Sequence, residues 1–495
     1  MNIKALELAT RAMHPEAADA LYYRIAPNRT YGGWSDLAAA IVDRRSLTYV
    51  RLEGLRKAAA DLANGRVNFN LPIVPEQIRS AAGKLERQGC LERCAYGAPA
   101  EGFRQYDNHL ILSANWAVTG RCNFKCKHCF LSAPGARFGE LSTEDCKRII
   151  REMAEIGLQA VSMTGGEALI RSDFMELVDE LVKNGIHLKS ISSNGALVND
   201  RLLDQLEDRG LKPTFFMSFD GVGWHDWLRG MEGAEKMLMG KFELLAKRGF
   251  KTGSAFTMHR LNKGVLRESI NRLASVGAQS AIINRMLNFG EWRQYGQDFN
   301  ITHREVFETY LEYLPHFFED GMPIDVFLNR MISLHKGSYD YQFSAVKNAP
   351  ACGEECVCRA MYRTLFINGD GKVAPCISIA GIDGQQKNFA DLGQMSLKQA
   401  VTDSEFSRCA YRTVEDYEAH NPECAACAYR SYCRGGCRAQ ALEFDENDFL
   451  AMDRHRCEFF FGRYVEQVLA RLAETVPQAR CTNLPADYPL KPLAE

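Results

Sequence analysis

Six short apolar runs, separated by helical stripes, limit this chain more than any other feature. They are Leu112–Val118, Ala160–Thr164, His187–Ser192, Thr214–Phe219, Thr252–Met258 and Gln279–Arg285. Between them, apolar residues recur at helical spacing. Cys146, Ile149, Ile150 and Met153 share one face of a helix over 143–156, and Phe174, Leu177, Val178, Leu181 and Val182 share a face of the next. Ser142 or Thr143 caps the first of these, with Glu144 and Asp145 in its opening turn. Strands alternating with helices run parallel through right-handed crossovers. In barrels built this way, the chemistry sits on the loops at the carboxyl ends of the strands.

Those loops carry the reactive residues. After the first strand comes Cys122-x3-Cys126-x2-Cys129. Three thiolates on so short a loop can hold three irons of a 4Fe-4S cube, which leaves the fourth iron open. A zinc site prefers four ligands in paired Cys-x2-Cys knuckles, and this loop offers three. The second strand ends in Met163-Thr164-Gly165-Gly166-Glu167, where two glycines admit a close backbone approach and a carboxylate is free to meet an ammonium group. The third and fourth close with Ser192-Ser193-Asn194-Gly195 and Ser218-Phe219-Asp220-Gly221. Asn-Gly and Asp-Gly are also strong turn formers, so each has a purely structural reading.

The cysteine loop, followed one strand–helix unit later by Gly-Gly-Glu, resembles the radical S-adenosylmethionine (SAM) superfamily. The resemblance implies an open, partial (β/α)6 barrel over residues 111–330. In that family SAM chelates the open iron, is cleaved reductively, and gives a 5′-deoxyadenosyl radical that abstracts hydrogen from substrate. By the same resemblance, Thr164, Gly165, Gly166, Glu167, Ser193, Asn194, Ser218 and Asp220 contact SAM. His128 takes the place of the aromatic residue that normally precedes the last cysteine of the motif. The stretch from Asp220 to Gly230 resembles the peptide-modifying branch, where Trp224, His225 and Arg229 either line the substrate entrance or fold the loop.

Ten of the seventeen cysteines lie between Cys352 and Cys457. Cys424-x2-Cys427-x5-Cys433-x3-Cys437, with Cys457 downstream and Gly371-x4-Cys376 upstream, resembles the SPASM extension, which holds two auxiliary 4Fe-4S clusters. The implied domain spans 350–465. The implied ligands interleave: Cys352, Cys358, Cys376 and Cys437 for the first auxiliary cluster, and Cys424, Cys427, Cys433 and Cys457 for the second. Cys356 competes with Cys352 and Cys358 for the first. A zinc ribbon at Cys424–Cys437 would leave the upstream cysteines and the barrel unexplained. Fully ligated auxiliary clusters read as an electron path. With the SAM-binding cluster, the implied cofactors are SAM and three 4Fe-4S clusters. Cys90, Cys94, Cys146, Cys356, Cys409 and Cys481 remain, with packing as their default role.

Residues 17–95 form a separate unit. Ala20–Ile25 and Ser46–Leu52 have strand character, and Leu55–Leu62 and Pro75–Gly89 read as helices. This pattern resembles a winged-helix-like leader-peptide recognition element, which adds an extended peptide to a sheet edge. A helical cap on the barrel is the other reading. The expected fold is therefore α/β, with this N-terminal domain, the partial barrel and a cysteine-rich SPASM domain. Residues 286–350 read as a mostly helical bridge, and the proline-containing tail after Pro477 as draped or disordered.

Charge and composition narrow the partners. The 495-residue chain is 46% hydrophobic and 25% charged, with net charge −2, so no basic excess points to nucleic acid. The longest apolar runs, such as Ala38–Val42, are too short to span a membrane, and the N-terminus lacks a signal-peptide pattern. A cytoplasmic location is expected, where thiols stay reduced for metals. The resemblance implies a peptide maturase that binds a precursor through its leader and draws electrons from reduced flavodoxin or ferredoxin. Thioether or carbon–carbon crosslinking is the leading chemistry. Side-chain oxidation of the sulfatase-maturase type, peptide epimerisation and a non-catalytic iron–sulfur electron carrier are the alternatives. No acid or base is assigned, although Asp220, Arg285, Glu291 and Tyr362 are polar candidates near strand ends or the domain junction.

Overall fold

A computed structural model describes residues 2–13, 18–347 and 355–492. Its N-terminal unit begins with helix α1 (Ile3–Ala12), followed by strands β1 (Tyr22–Ile25), β2 (Arg29–Trp34), β3 (Leu37–Asp43) and β4 (Tyr49–Arg51). Helices α2 (Gly54–Leu62) and α3 (Glu76–Arg87) come next, then β5 (Leu91–Cys94) and β6 (Arg104–Gln105). Strands β2, β3 and β4 are antiparallel neighbours, and β4 is an edge of the sheet ordered β4-β3-β2-β6. Strand β5 returns to pair with β1. Ile78, Ala81, Ala82 and Leu85 are the buried face of α3, and they join Leu62, Val67 and Phe69 in a core separate from that of the barrel.

The six expected parallel strands are present: β7 (Ser113–Ala117), β8 (Ala160–Thr164), β9 (His187–Ser193), β10 (Thr214–Ser218), β11 (Thr252–Met258) and β12 (Ser280–Arg285). Each pairs in parallel with the next. Because neighbours in the sheet are neighbours in sequence, the chain winds one way, as in a barrel. Helices α4 (Thr143–Glu155), α5 (Phe174–Lys183), α6 (Asp200–Glu207), α7 (His225–Arg229), α8 (Ala234–Lys247) and α9 (Leu266–Ser275) fill the crossovers. Ser142 caps α4 as expected, its side chain accepting from the Asp145 amide at 3.1 Å.

Alternation along the strands separates two faces. Ala114, Trp116, Val161, Met163, Phe215, Met217, Phe256 and Met258 are buried in the core that also contains Ile149, Ile150 and Met153 of α4. The opposite face carries Phe216 and Ile282 but is otherwise mostly small or polar. Asn115, Thr164, Ser192, Ser218, Thr257 and Asn284 lie on it, half-buried. A concave sheet needs small side chains on its inner face if a ligand is to fit there.

The sheet continues past the predicted strands. The bridge is helical in its first half, with a 3-10 turn over Gly290–Gln294 and helices over Gly296–Phe299 and His303–Glu319; β13 (Asp325–Leu328), β14 (Ile332–Leu334) and β15 (Asp340–Gln342) then extend the sheet from β12. At the other edge, β16 (Thr364–Ile367) pairs in parallel with β7, followed by β17 (Lys372–Ala374) and β18 (Ala390–Asp391). The tail after Pro477 packs on the sheet rather than draping free: β19 (Arg480–Cys481) joins β15, and Tyr488 is buried. The result is one open thirteen-stranded sheet.

Candidate active site

Every element of the site hangs on the segment between β7 and α4. Arg171, a buried side chain that sequence reading passed over, ties both ends of that segment. Its Nη1 donates to the carbonyls of Val118 at 2.8 Å and Leu141 at 3.0 Å, while Asp173 holds the other side of the guanidinium at 2.7–2.8 Å. This contact pulls the Asp173 carboxyl down to about 2. An arginine between Ile170 and Ser172 carries no local sign of such a role, since its partners are carbonyls distant in sequence.

The Gly-Gly-Glu segment grips the cysteine loop through its backbone. The Gly166 amide donates to Thr119 O and the Glu167 amide to Arg121 O, both at 2.9 Å. A Cβ on Gly165 would stand 2.6 Å from Thr119 O, and one on Gly166 would run into Arg121 O and lie 3.0 Å from Cys122 Cβ. Glycine is required at both positions by this packing. The Glu167 carboxylate is buried and accepts from the Leu169 amide at 3.2 Å, Ser193 Oγ at 3.0 Å and the Asn194 amide at 2.8 Å. It therefore joins the ends of β8 and β9, with one of a carboxylate's four lone-pair sites left over. Burial raises its pKa.

Cys122, Cys126 and Cys129 are free, half-buried thiols that sense one another electrostatically. Burial pushes Cys122 up to about 11 and also raises Cys129, so bound positive charge is needed to keep them as thiolates. Backbone amides of Phe124 and Ala133 point at Cys122 Sγ (3.4 Å) and Cys129 Sγ (3.3 Å). Asn194 reaches across from β9, its Nδ2 donating to Asn123 Oδ1 at 2.7 Å and lying 4.0 Å from Cys122 Sγ. Burial pushes the His128 imidazole down to about 3, and its Nδ1 has no hydrogen-bond partner among the described residues.

Two of the residues expected to contact SAM, Thr164 and Ser218, lie half-buried on the inner face. Asp220 departs from that expectation. Its side chain is wholly buried, and its oxygens are engaged by Arg229 at 2.6–2.7 Å and the Thr257 amide at 3.0 Å, with His225 Nδ1 at 3.6 Å. These protein donors make the carboxylate part of the scaffold. Of the other polar candidates, Arg285 pairs with Glu443, Glu291 accepts from Gln294 at 3.1 Å at the surface, and the Tyr362 ring stacks on His109.

The C-terminal cysteines form two groups. Cys424, Cys427, Cys433 and Cys457 line one cavity with Tyr417 and Phe460. Cys437, Cys358 and Arg330 all act on the Cys376 thiol, and Arg330 Nη1 lies 3.0 Å from Cys437 Sγ. Cys356 instead turns its Sγ toward Tyr411 O at 3.6 Å. Cys352 lies outside the described residues.

The cysteine spacing does not suit zinc. Four thiolates at Zn–S ≈ 2.3 Å stand about 3.8 Å apart. Among the described residues, the one set of three His, Cys, Asp or Glu ligand atoms lying within 4.8 Å of one another is His303, His455 and Glu458, with no cysteine in it. A cation there would meet the Arg285 guanidinium, 3.2 Å from His455 Nε2. A polynuclear iron–sulfur centre takes each cysteine thiolate on a separate iron, so it does not require the thiols to stand that close together.

Residues 116–273 match the model of the radical SAM superfamily, and residues 356–428 match that of an iron-sulfur cluster-binding domain, SPASM. The AdoMet-dependent heme synthase of Oleidesulfovibrio alaskensis is 27% identical over 338 residues, covering 66% of this chain and 82% of that protein. The sporulation killing factor maturation protein SkfB of Bacillus subtilis is 23% identical, covering 68% and 80%. Streptococcus suis SuiB bound to precursor peptide SuiA has a similar fold, with TM-score 0.64, 15% identity, and coverage of 88% of this chain and 100% of that chain. No helix among the described residues is long and apolar enough to cross a membrane. The chain is a radical SAM enzyme with a C-terminal SPASM domain, and its cofactors are SAM and 4Fe-4S clusters.

Proposed function

We propose that this enzyme modifies a ribosomally made precursor peptide by thioether or carbon–carbon crosslinking, and that residues 17–95 recognise the peptide's leader. One observation carries this reading. Strand β4 is a sheet edge with open pairing groups, and a groove beside it is lined by Arg51, Glu53, Leu55, Gln77, Ser80 and Lys84 from β4, α2 and α3. Leu55 is half exposed. An extended peptide pairs with such an edge through its backbone and sets its side chains into the groove. SuiB, solved with a precursor peptide, and SkfB, a maturation protein, support the same class.

In this reading Cys122, Cys126 and Cys129 hold the SAM-binding cluster. Cys358, Cys376 and Cys437, with Cys352, hold one auxiliary cluster. Cys424, Cys427, Cys433 and Cys457 hold the other. Thr164–Glu167, Ser193, Asn194 and Ser218 frame SAM, with Glu167 offering its remaining acceptor site to the ammonium group. The cofactors supply reductive sulfonium cleavage and hydrogen abstraction. The protein's own contribution is a shielded, mostly small or polar inner face that positions the target residue. Reduced flavodoxin or ferredoxin is the proposed electron source, and the cytoplasm the proposed location.

The heme-synthase relatives favour a second reading, a porphyrin-class substrate for the same core. A labelled candidate leader separates the two. Full-length reconstituted enzyme should bind it and convert its precursor to a product of changed mass. Leu55→Asp should weaken leader binding at least tenfold while iron content and SAM cleavage without peptide persist. Equal leader binding by Leu55→Asp, or turnover of porphyrin alone, would exclude the peptide reading.

A further inference from the structure

An ion pair lies buried under the cysteine loop. Asp220 is wholly buried and Arg229 is 8% exposed. Arg229 Nε and Nη2 reach Asp220 Oδ2 at 2.7 and 2.6 Å, and Nη1 lies 3.7 Å from Cys126 Sγ. Cys126 is thus approached by a full positive charge, whereas Cys122 and Cys129 receive backbone amides.

The placement is fixed from both sides. The Asp220 carbonyl accepts from Asn262 Nδ2 at 2.9 Å, and its Oδ1 from the Thr257 amide at 3.0 Å. Helix α7, which carries Arg229, is locked to the cysteine loop: the Lys127 amide donates to Leu228 O at 2.9 Å. Gly230 then turns in the left-handed region (φ 65°), where a Cβ would lie 2.8 Å from Lys125 O. Burying an ion pair carries a desolvation cost that its own attraction often does not recover, so stability is a weak reason to keep one here. Its geometry is polar along one line, with the carboxylate behind and the guanidinium at the sulfur.

We infer that Arg229, held by Asp220, is a positioning residue that raises the reduction potential of the cluster bound by Cys122, Cys126 and Cys129. The inference rests on that ligand assignment. Reduction adds negative charge to the cluster and its thiolates, and hydrogen bonds and net charge at the sulfurs set the potential. A fixed cation at Cys126 favours the reduced form. The carboxylate, one group further away, opposes it. Removing the two partners must therefore move the potential in opposite directions, which loss of local structure would not do.

The test is a redox titration, followed by electron paramagnetic resonance, of reconstituted full-length enzyme. It reads the midpoint of the signal that SAM perturbs, measured without SAM. Arg229→Gln should lower that midpoint by at least the equivalent of a tenfold change in equilibrium, 59 mV for a one-electron couple. Arg229→Lys should recover most of the loss, and Asp220→Asn should raise the midpoint above wild type. If Arg229→Gln fails to hold the cluster, Arg229→Lys and Asp220→Asn decide the matter. Coincident midpoints, or shifts of one sign for Arg229→Gln and Asp220→Asn, overturn the inference while leaving the ligand assignment intact. Absence of any SAM-perturbed signal overturns both.

Discussion

Replacing Gly166 by alanine tests the claim that the Gly-Gly-Glu segment is a backbone clamp on the cysteine loop. The added methyl has no room, since it would run into Arg121 O and meet Cys122 Cβ at 3.0 Å. Neither neighbour is the free end of a side chain, so the loop itself must move, and the 2.9 Å bonds from Gly166 and Glu167 to the loop must stretch. Overpacking of this kind costs about 1–3 kcal/mol. A cost of about 2 kcal/mol lowers the population of the cluster-competent loop roughly 30-fold. Gly240→Ala is the control. Gly240 sits inside α8 with nothing within 4 Å of its would-be Cβ, so alanine should be neutral or stabilise by about 0.5–1 kcal/mol. Iron content and 5′-deoxyadenosine formation are the assays. Gly166→Ala should lose iron from the SAM-binding cluster and cleave SAM at least tenfold more slowly, with auxiliary iron retained. Wild-type iron and turnover in Gly166→Ala would refute the clamp.

Other consequences follow from groups around the loop. Arg171→Gln leaves two loop carbonyls without their donor and Asp173 with Thr143 Oγ1 at 2.6 Å in place of the guanidinium, and should destabilise the apo-protein by about 3 kcal/mol, read by denaturant titration with faster hydrogen exchange over residues 118–141. The Asp173 carboxyl is depressed to about 2 by Arg171, so the pair contributes fully above the ordinary carboxylate value of about 4 and is lost as pH falls through 2. The stability gap between wild type and Arg171→Gln should therefore narrow across that window; a gap constant with pH would contradict the ion pair. Cys358→Ala should reduce bound iron, because Cys358 faces Cys376 and Arg330. Cys356→Ala should not, because its thiol faces Tyr411 O. The reverse pattern in iron analysis would reassign the ligand.

Much of this architecture was legible because the strong signals are local. Strands β8 and β11 begin and end at the residues where apolar runs begin and end, and α4 shows its buried stripe, cap and acidic first turn in sequence. Strands β13–β18 were not legible. They have two to four residues each, too few for a period to show, and they exist because a neighbouring edge offers partners. Strand β2 was hidden for another reason: glycine is depleted in strands, yet Gly32 and Gly33 sit in one where Arg104 O and Ala38 O approach too closely for any Cβ. The same distinction holds at the site. The cysteine spacing and the Gly-Gly-Glu motif are contiguous and could be found. Arg171, and the contact between Arg229 and Cys126, depend on partners separated by 30 to 103 positions. Asp220 could be placed at a strand end from sequence, but which way its carboxylate turned depended on Arg229 and Thr257.

Spectroscopy of the iron beside the cysteine loop addresses the central claim most directly. Mössbauer and electron paramagnetic resonance spectra of anaerobically reconstituted enzyme should show one cluster with a unique iron that changes on adding SAM. That cluster alone should vanish in the Cys122→Ala, Cys126→Ala, Cys129→Ala variant, together with 5′-deoxyadenosine formation. A fully side-chain-ligated cluster indifferent to SAM, or wild-type SAM cleavage in the triple variant, would contradict the account.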